Sequence, residues 1–262
     1  MSDGRLTGRG AVVTGAAMGI GAGIAAELGR EGAAVVIADV DDDAAAERAE
    51  SLRAAGARVE AVHCDVSRED DVRRVMDDSA ASLGGLHVVV NNAAVGIYKS
   101  VVEATVEEFD RALAVNLRGV FLGIKHAAPH LEVAGGGSIV NIASVHSVQN
   151  VGGTAPYAAS KGGVAALTRA AAIDLAKAGI RVNAICPGWI DTPLIRGIFE
   201  SGDDPEGTRA AVERRQLLGR LGTAEEIGRA AAFLASEDSS YVTGSLLFVD
   251  SGMTAQLEAW SE

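Results

Sequence analysis

An α/β fold, with one parallel sheet covered by helices on both faces, is what this 262-residue sequence predicts. Three observations carry that expectation. Short β-branched runs alternate with longer helical stretches from one end of the chain to the other. Several of the runs, such as Ala11-Val12-Val13 and Ala34 to Ile37, are apolar throughout, as strands buried on both faces should be. A cluster of glycines lies between the first run and the first helical stretch.

The elements follow in order. Ala11-Val12-Val13 reads as a strand, and Ile20 to Glu31 as a helix with Ala and Leu on one face. Ala34 to Ile37 is a second strand, followed by a helix from Asp43 to Ala55. Val59 to Val62 leads to a helix opening at Ser67, whose first turn carries Glu69, Asp70 and Asp71, favourable to the positive end of the helix dipole. Strands are then expected at Leu86 to Val90, Ser138 to Ile142, Val182 to Ile185 and Leu246 to Val249, separated by helical segments. Strict alternation implies right-handed βαβ units. No composition break or Pro/Ser-rich linker divides the chain, so a single domain over 1–262 is expected. The rhythm fails only between Gly188 and about Leu218, where Pro193, Gly202, Pro205 and Gly207 interrupt it. A long irregular insertion of this kind reads as a lid or binding loop.

Composition excludes several function classes. Hydrophobic residues make up 48% of the chain, enough for a sizeable core and too many for global disorder. The net charge of −12 opposes a nucleic-acid binder, which needs a basic face. Cys64 and Cys186 stand far apart and in no CxxC, so neither a disulfide framework nor a cysteine zinc site is expected. No His/Asp/Glu cluster has ligand spacing, so no metal is expected. Two reduced thiols and an N-terminus leading into no apolar stretch fit a cytoplasmic protein. No uncharged stretch reads as a membrane span.

The glycine cluster carries the first functional signal. Thr14-Gly15-Ala16-Ala17-Met18-Gly19-Ile20-Gly21 joins the first strand to the first helix. Glycines there permit a tight turn and close approach of backbone to a pyrophosphate, and the helix N-terminus supplies N–H groups and positive dipole. Asp39 ends the second strand, about 20 residues further on, where an acid accepts hydrogen bonds from the adenosine ribose hydroxyls. A 2′-phosphate would be repelled there, and the glycine loop holds no Arg or Lys to offset that. NAD rather than NADP is the expected cofactor.

The second signal is Tyr157-Ala158-Ala159-Ser160-Lys161, in a segment that reads as helix from about Ala155 to Lys177. Residues i and i+4 share a helix face, so a phenol stands beside an ammonium. A positive neighbour favours the phenolate and pulls its pKa from ~10 toward neutrality, fitting Tyr157 for general acid–base work.

Together these features resemble the short-chain dehydrogenase/reductase family in its roughly 250-residue form, over nearly the whole chain. Thr14 to Gly21 resembles the family's TGxxxGIG loop, and Asp65-Val66 its adenine-contacting pair. Asn91-Asn92-Ala93-Ala94 resembles NNAG, with Ala94 in place of the last glycine. Asn116-Leu117-Arg118-Gly119 fits the helix bearing the family's Asn. Ser144 stands thirteen residues before Tyr157, the family's place for a substrate-orienting serine. Pro187-Gly188 and Thr192 match the residues flanking the nicotinamide. Val249-Asp250-Ser251-Gly252 departs from the frequent DGG.

The resemblance implies a doubly wound, seven-stranded Rossmann sheet and an NAD(P)-dependent oxidoreductase interconverting a secondary alcohol and a ketone. It implies Asn116, Ser144, Tyr157 and Lys161 as the catalytic set. The cofactor would be held by Gly15, Ala17, Met18, Gly19, Ile20, Asp39, Asp65, Val66, Asn92, Ala93, Ala94, Pro187, Gly188, Ile190 and Thr192, with Tyr157 and Lys161. Family position places Ser144, His146, Gln149, Asn150 and Trp189, with Ile97, Tyr98 and Leu194 to Phe199, around a small-molecule substrate. The competing enzyme reading is a 3-oxoacyl-thioester reductase, against which Asp39 and the acidic balance argue. A homotetramer is also implied. The small, apolar helix 155–177 and the run Ser245 to Val249 are the surfaces suited to its isologous contacts.

Overall fold

The computed structural model describes residues 4–256. Seven strands form one parallel sheet in the order β3-β2-β1-β4-β5-β6-β7. They are β1 (Gly10–Thr14), β2 (Ala34–Asp39), β3 (Arg58–His63), β4 (Val88–Asn91), β5 (Gly137–Ile142), β6 (Ile180–Pro187) and β7 (Leu246–Val249). The sequence expectation for β4 began at Leu86. Leu86 is fully buried but precedes the ladder, which starts at the Ala11–Val88 pair.

Alternate residues of each strand face opposite sides, which divides the core in two. Ala11, Val13, Val35 and Ile37 pack under α1 (Gly19–Arg30), α2 (Asp42–Ala54) and α9 (Ala224–Ala235). Val12, Val36, Val89 and Val182 pack under α3 (Glu69–Ser82), α5 (Gly119–Val133) and α6 (Ala155–Leu175). β1, β2 and β4 are enclosed on both faces, which is why Ala11–Val13, Ala34–Ile37 and Val88–Val90 are apolar throughout, whereas the partly exposed edge strand β3 carries Arg58, Glu60 and His63. The acidic triplet Glu69, Asp70 and Asp71 does fill the first turn of α3, two residues later than the expected opening at Ser67. Among the described residues no helix is long and apolar enough to cross a membrane.

The segment expected to be irregular holds two further helices, α7 (Pro193–Glu200) and α8 (Pro205–Arg214). Each begins with proline at its first position, after a capping Thr192 or Asp204 that accepts from the backbone N–H three residues on. The prolines that interrupted the rhythm are helix starts. Asp191 ties the two helices together, pairing with Arg196 at 2.7 Å and Arg209 at 3.4 Å.

The order of strands reverses between β1 and β4. In open parallel sheets a crevice opens outside the carboxyl ends at such a point. A cleft of about 740 Å³ lies there.

Candidate active site

The glycine turn forms one wall of this cleft. Gly15 has φ +63°, and a Cβ on it would stand 2.6 Å from the Cα of Ala93. Any side chain would therefore push β1 and β4 apart where the crevice opens. The turn is also fastened to β4. Asn92 Nδ2 donates to the carbonyls of Thr14 and Gly15 at 2.9 and 2.8 Å, and the Thr14 hydroxyl accepts the backbone N–H of Asn92 at 3.0 Å. No side chain caps α1 at Met18, so the helix presents an uncapped N-terminus beside the cleft. Asp39 stands at the adjoining edge. Its carboxylate accepts the N–H of Ala17 at 2.9 Å and of Asp41 at 3.1 Å.

Asp65 and Val66 also line the cleft. Asp65 Oδ1 accepts from both the backbone and the hydroxyl of Ser67, at 2.9 and 2.7 Å, which holds the turn before α3. Ala93, Ala94, Pro187, Gly188, Ile190 and Thr192 complete the lining. A crevice at the strand-order switch, a glycine turn with no room for a Cβ at Gly15 or Gly21, an uncapped helix N-terminus and an acid at the end of β2 fit a dinucleotide.

The four residues expected to carry proton chemistry converge. Ser144, Tyr157 and Lys161 all line the cleft, while Asn116 lies fully buried behind it. Asn116 sits in a π-helical turn, Ala114–Arg118, between α4 (Val106–Leu113) and α5. It accepts from the Val95 N–H at 2.7 Å and donates to the Val95 carbonyl at 2.9 Å and the Ser160 hydroxyl at 3.1 Å. Ser160 in turn donates to the carbonyl of Tyr157 at 2.7 Å. Asn116 therefore fixes both the β4–α4 loop and the first turns of α6. Sequence reasoning missed Ser160, whose only signal was its place between Tyr157 and Lys161.

Electrostatics depart from the expectation for the Tyr157–Lys161 pair. The Lys161 ammonium is 5.7 Å from the centre of the Tyr157 ring and donates to the Ile142 carbonyl at 2.7 Å. Burial pushes the Tyr157 phenol above its ordinary range, and interaction with Ser144 opposes this only in part. Burial also pulls Lys161 down to about 8. Desolvation thus outweighs the neighbouring charge, and the phenol holds its proton through neutrality. Tyr98 and His146 flank the Tyr157 ring, with centroids 5.3 and 5.8 Å away.

The residues expected around a substrate divide. Tyr98, Leu194 and Ile195 reach the cleft wall, whereas His146, Gln149, Asn150 and Trp189 lie outside it. His146 Nδ1 and Asn150 Oδ1 pair at 3.2 Å, Gln149 donates to the Thr254 carbonyl at 3.2 Å, and Trp189 stacks on Phe199 of α7.

The family model described as enoyl-(acyl carrier protein) reductase matches residues 15–254. The cis-4-hydroxycyclohexanecarboxylate dehydrogenase of Sinomonas cyclohexanicum is 46% identical, over 94% of this chain and 96% of that one. The 3beta-hydroxysteroid dehydrogenase 1 of Eggerthella lenta is 42% identical, over 95% of each. The crystal structure of levodione reductase superposes with a TM-score of 0.92 at 33% identity, over 96% of this chain and 100% of that one. The chain belongs to the short-chain dehydrogenase/reductase family, whose dehydrogenases use a nicotinamide cofactor on small-molecule substrates.

Proposed function

We propose that this protein is an NAD-dependent dehydrogenase of secondary alcohols carried on aliphatic rings, with Tyr157 as its general acid and base. The observation that carries the reading is the meeting of Ser144, Tyr157 and Lys161 on one cleft wall, opposite the glycine turn and Asp39. Two relatives named above act, by their names, on a hydroxycyclohexane and a hydroxysteroid, both alicyclic alcohols.

A nicotinamide cofactor bound between the glycine turn, Asp39 and Thr192 would supply the hydride acceptor for the carbinol carbon. Asp39 accepts the adenosine ribose hydroxyls, and the first turn of α1 donates to the phosphates. The hydroxyls of Ser144 and Tyr157 orient the substrate oxygen. Tyr157, as phenolate, takes the hydroxyl proton in oxidation and returns one to the carbonyl oxygen in reduction. Lys161 supports the phenolate and binds the nicotinamide ribose. Asn116 acts behind them by holding the π-turn and, through Ser160, the helix that presents Tyr157. The segment 188–218, which contributes Thr192, Pro193, Leu194 and Ile195 to the cleft, forms its cover on the substrate side.

A 3-oxoacyl-thioester reductase is the second reading, supported by the description of the matching family model. The test is a panel of cyclic and open-chain alcohols, ketones and acetoacetyl-CoA with NAD(H) and NADP(H), read at the absorbance of the reduced cofactor. Turnover of cyclohexanol-type substrates with NAD is expected. Turnover confined to the thioester with NADPH would overturn the first reading for the second.

We also propose a homotetramer in the cytoplasm. On α6, Gly163 packs against Leu117 of its own chain, while Gly162 has open space around it and Ile173 is 78% exposed. Among the described residues β7 pairs only with β6, which leaves its other edge unpaired there.

A further inference from the structure

Ser251 is the one non-glycine residue among those described with a positive φ, +58°. The left-handed region is unfavourable for a residue with a Cβ, and such a residue persists only where its surroundings hold it. Glycine would adopt this backbone without penalty. What glycine lacks is a side-chain acceptor.

That acceptor is used. The Ser251 hydroxyl accepts the backbone N–H of Leu218 at 2.9 Å, and its carbonyl accepts that of Leu217 at 3.3 Å. Leu217 and Leu218 are 60% and 70% exposed, between a buried Gln216 and a buried Leu221, so at these two positions the backbone is fastened by hydrogen bonds more than by burial. They form the returning limb of the segment that contains α7 and α8. At its base that segment is closed by the bridge between Ile190 and Gly222. Four residues inside that closure, Thr192, Pro193, Leu194 and Ile195, line the cleft.

The turn that bears Ser251 is rigid and touches the other walls. Asp250, only 8% exposed, accepts from Gly252, from the Thr254 N–H and from the Thr254 hydroxyl at 2.7 to 2.9 Å. Gly188 donates to Val249 at 3.0 Å, and a Cβ on Gly188 would meet the Asp250 Cα at 2.8 Å. Thr254 accepts from Gln149, at the end of the loop that follows Ser144. One turn therefore links the cofactor strand, the Ser144 loop and the helical cover.

We propose that Ser251 is a positioning residue that sets where the cover formed by α7 and α8 rests over the substrate side of the cleft. Its hydroxyl fixes the returning limb to the turn that also abuts Gly188. The kinetic consequence rests on the alcohol-dehydrogenase reading. The conformational consequence does not.

The test compares full-length Ser251→Gly and Ser251→Asn with the wild type. The glycine variant keeps the backbone and loses the acceptor, whereas asparagine tolerates the left-handed region and restores a side-chain oxygen. Tryptic cleavage at Arg214 and Arg215 of the cofactor-free protein should be about fivefold faster in Ser251→Gly, with an unfolding temperature no lower than wild type. Its KM for the alcohol should rise roughly threefold to tenfold with kcat and the KM for NAD within about twofold, as for loss of uniform substrate binding. Ser251→Asn should reverse both effects. Unchanged cleavage in Ser251→Gly overturns the proposal, as does a parallel fall in unfolding temperature and NAD affinity, which marks a merely structural role. Faster cleavage in a protein that oxidises no alcohol keeps the anchor and sinks the dehydrogenase reading instead.

Discussion

The Lys161 ammonium stands 5.7 Å from the centre of the Tyr157 ring, yet its short hydrogen bond, 2.7 Å, goes to the Ile142 carbonyl. Both groups are taken out of water, and desolvation disfavours each charged form. The phenol is pushed up and the ammonium down, to about 8, so two values that ordinarily lie close together move apart and the ammonium gives up its proton first. In the proposed mechanism the Tyr157 phenolate is the proton acceptor, so the site at rest holds this residue in its unreactive form for oxidation.

Alcohol oxidation should accordingly accelerate with pH. The reacting form of Tyr157 is the phenolate, which is scarce at neutrality in a site that raises its pKa. A rate limited by one deprotonation climbs by up to about tenfold per pH unit below that pKa. Ketone reduction uses the protonated phenol and should be nearly flat around neutrality. A pH series of kcat/KM in both directions checks this, and an oxidation rate that falls from pH 7 to 9 would contradict it.

Replacing Lys161 should separate stability from activity. Its folded pKa lies below the ordinary 10.5, so between about 8 and 10.5 the unfolded chain holds a proton that the native chain has released. Stability from this group therefore rises with pH across that window, and below it the buried ammonium is a cost. Lys161→Met removes the charge but leaves the Ile142 carbonyl without its donor. A net gain of about 1–2 kcal/mol at pH 7 is expected, together with near-complete loss of turnover. Thermal unfolding at pH 7 and 10 tests it: the gain should shrink at the higher pH.

Tyr157→Phe should abolish most turnover and spare cofactor binding, since it deletes a hydroxyl and keeps the ring against Tyr98 and His146. A loss of about 10²–10⁴ in kcat is the usual contribution of such a group. Fluorescence titration with NADH should give an affinity close to that of the wild type. Substantial remaining turnover would show the proton travelling elsewhere.

Asp39→Ser should narrow the preference for NAD over NADP. A carboxylate close to a 2′-phosphate opposes it by about 2 kcal/mol, or roughly thirtyfold, at a partly exposed site. The Ala17 N–H would also lose its acceptor, so affinity for NAD should fall as well. Steady-state kinetics with both cofactors decide it, and a wild-type protein faster with NADP would refute the assignment.

For assembly, light scattering across a dilution series should give a mass near four times the 26.7 kDa chain at micromolar concentration. A mass of one chain would refute it. Introducing a charge at Ile173, which is 78% exposed on α6, should lower the mass without altering the fold by circular dichroism.

The sequence by itself determined the sheet, the two-faced core and the position of the glycine turn. These are local matters: an apolar run of β-branched residues has one stable environment, and a turn that brings β1 against Ala93 has room only for glycine at position 15. The sequence also placed the four expected catalytic residues, because the spacing of Tyr157 and Lys161 and the order of the surrounding motifs are written along the chain. Only the tertiary structure decided what those residues experience. Asn116 meets Val95 and Ser160 from 21 and 44 positions away, and Ser251 meets Leu218 across 33. The spacing of Tyr157 and Lys161 predicted a phenol eased toward ionisation, whereas enclosure by the fold pushes it the other way. Helix period fixes which side chains are neighbours. The solvation of those neighbours depends on every distant segment that covers them, and no local pattern encodes it.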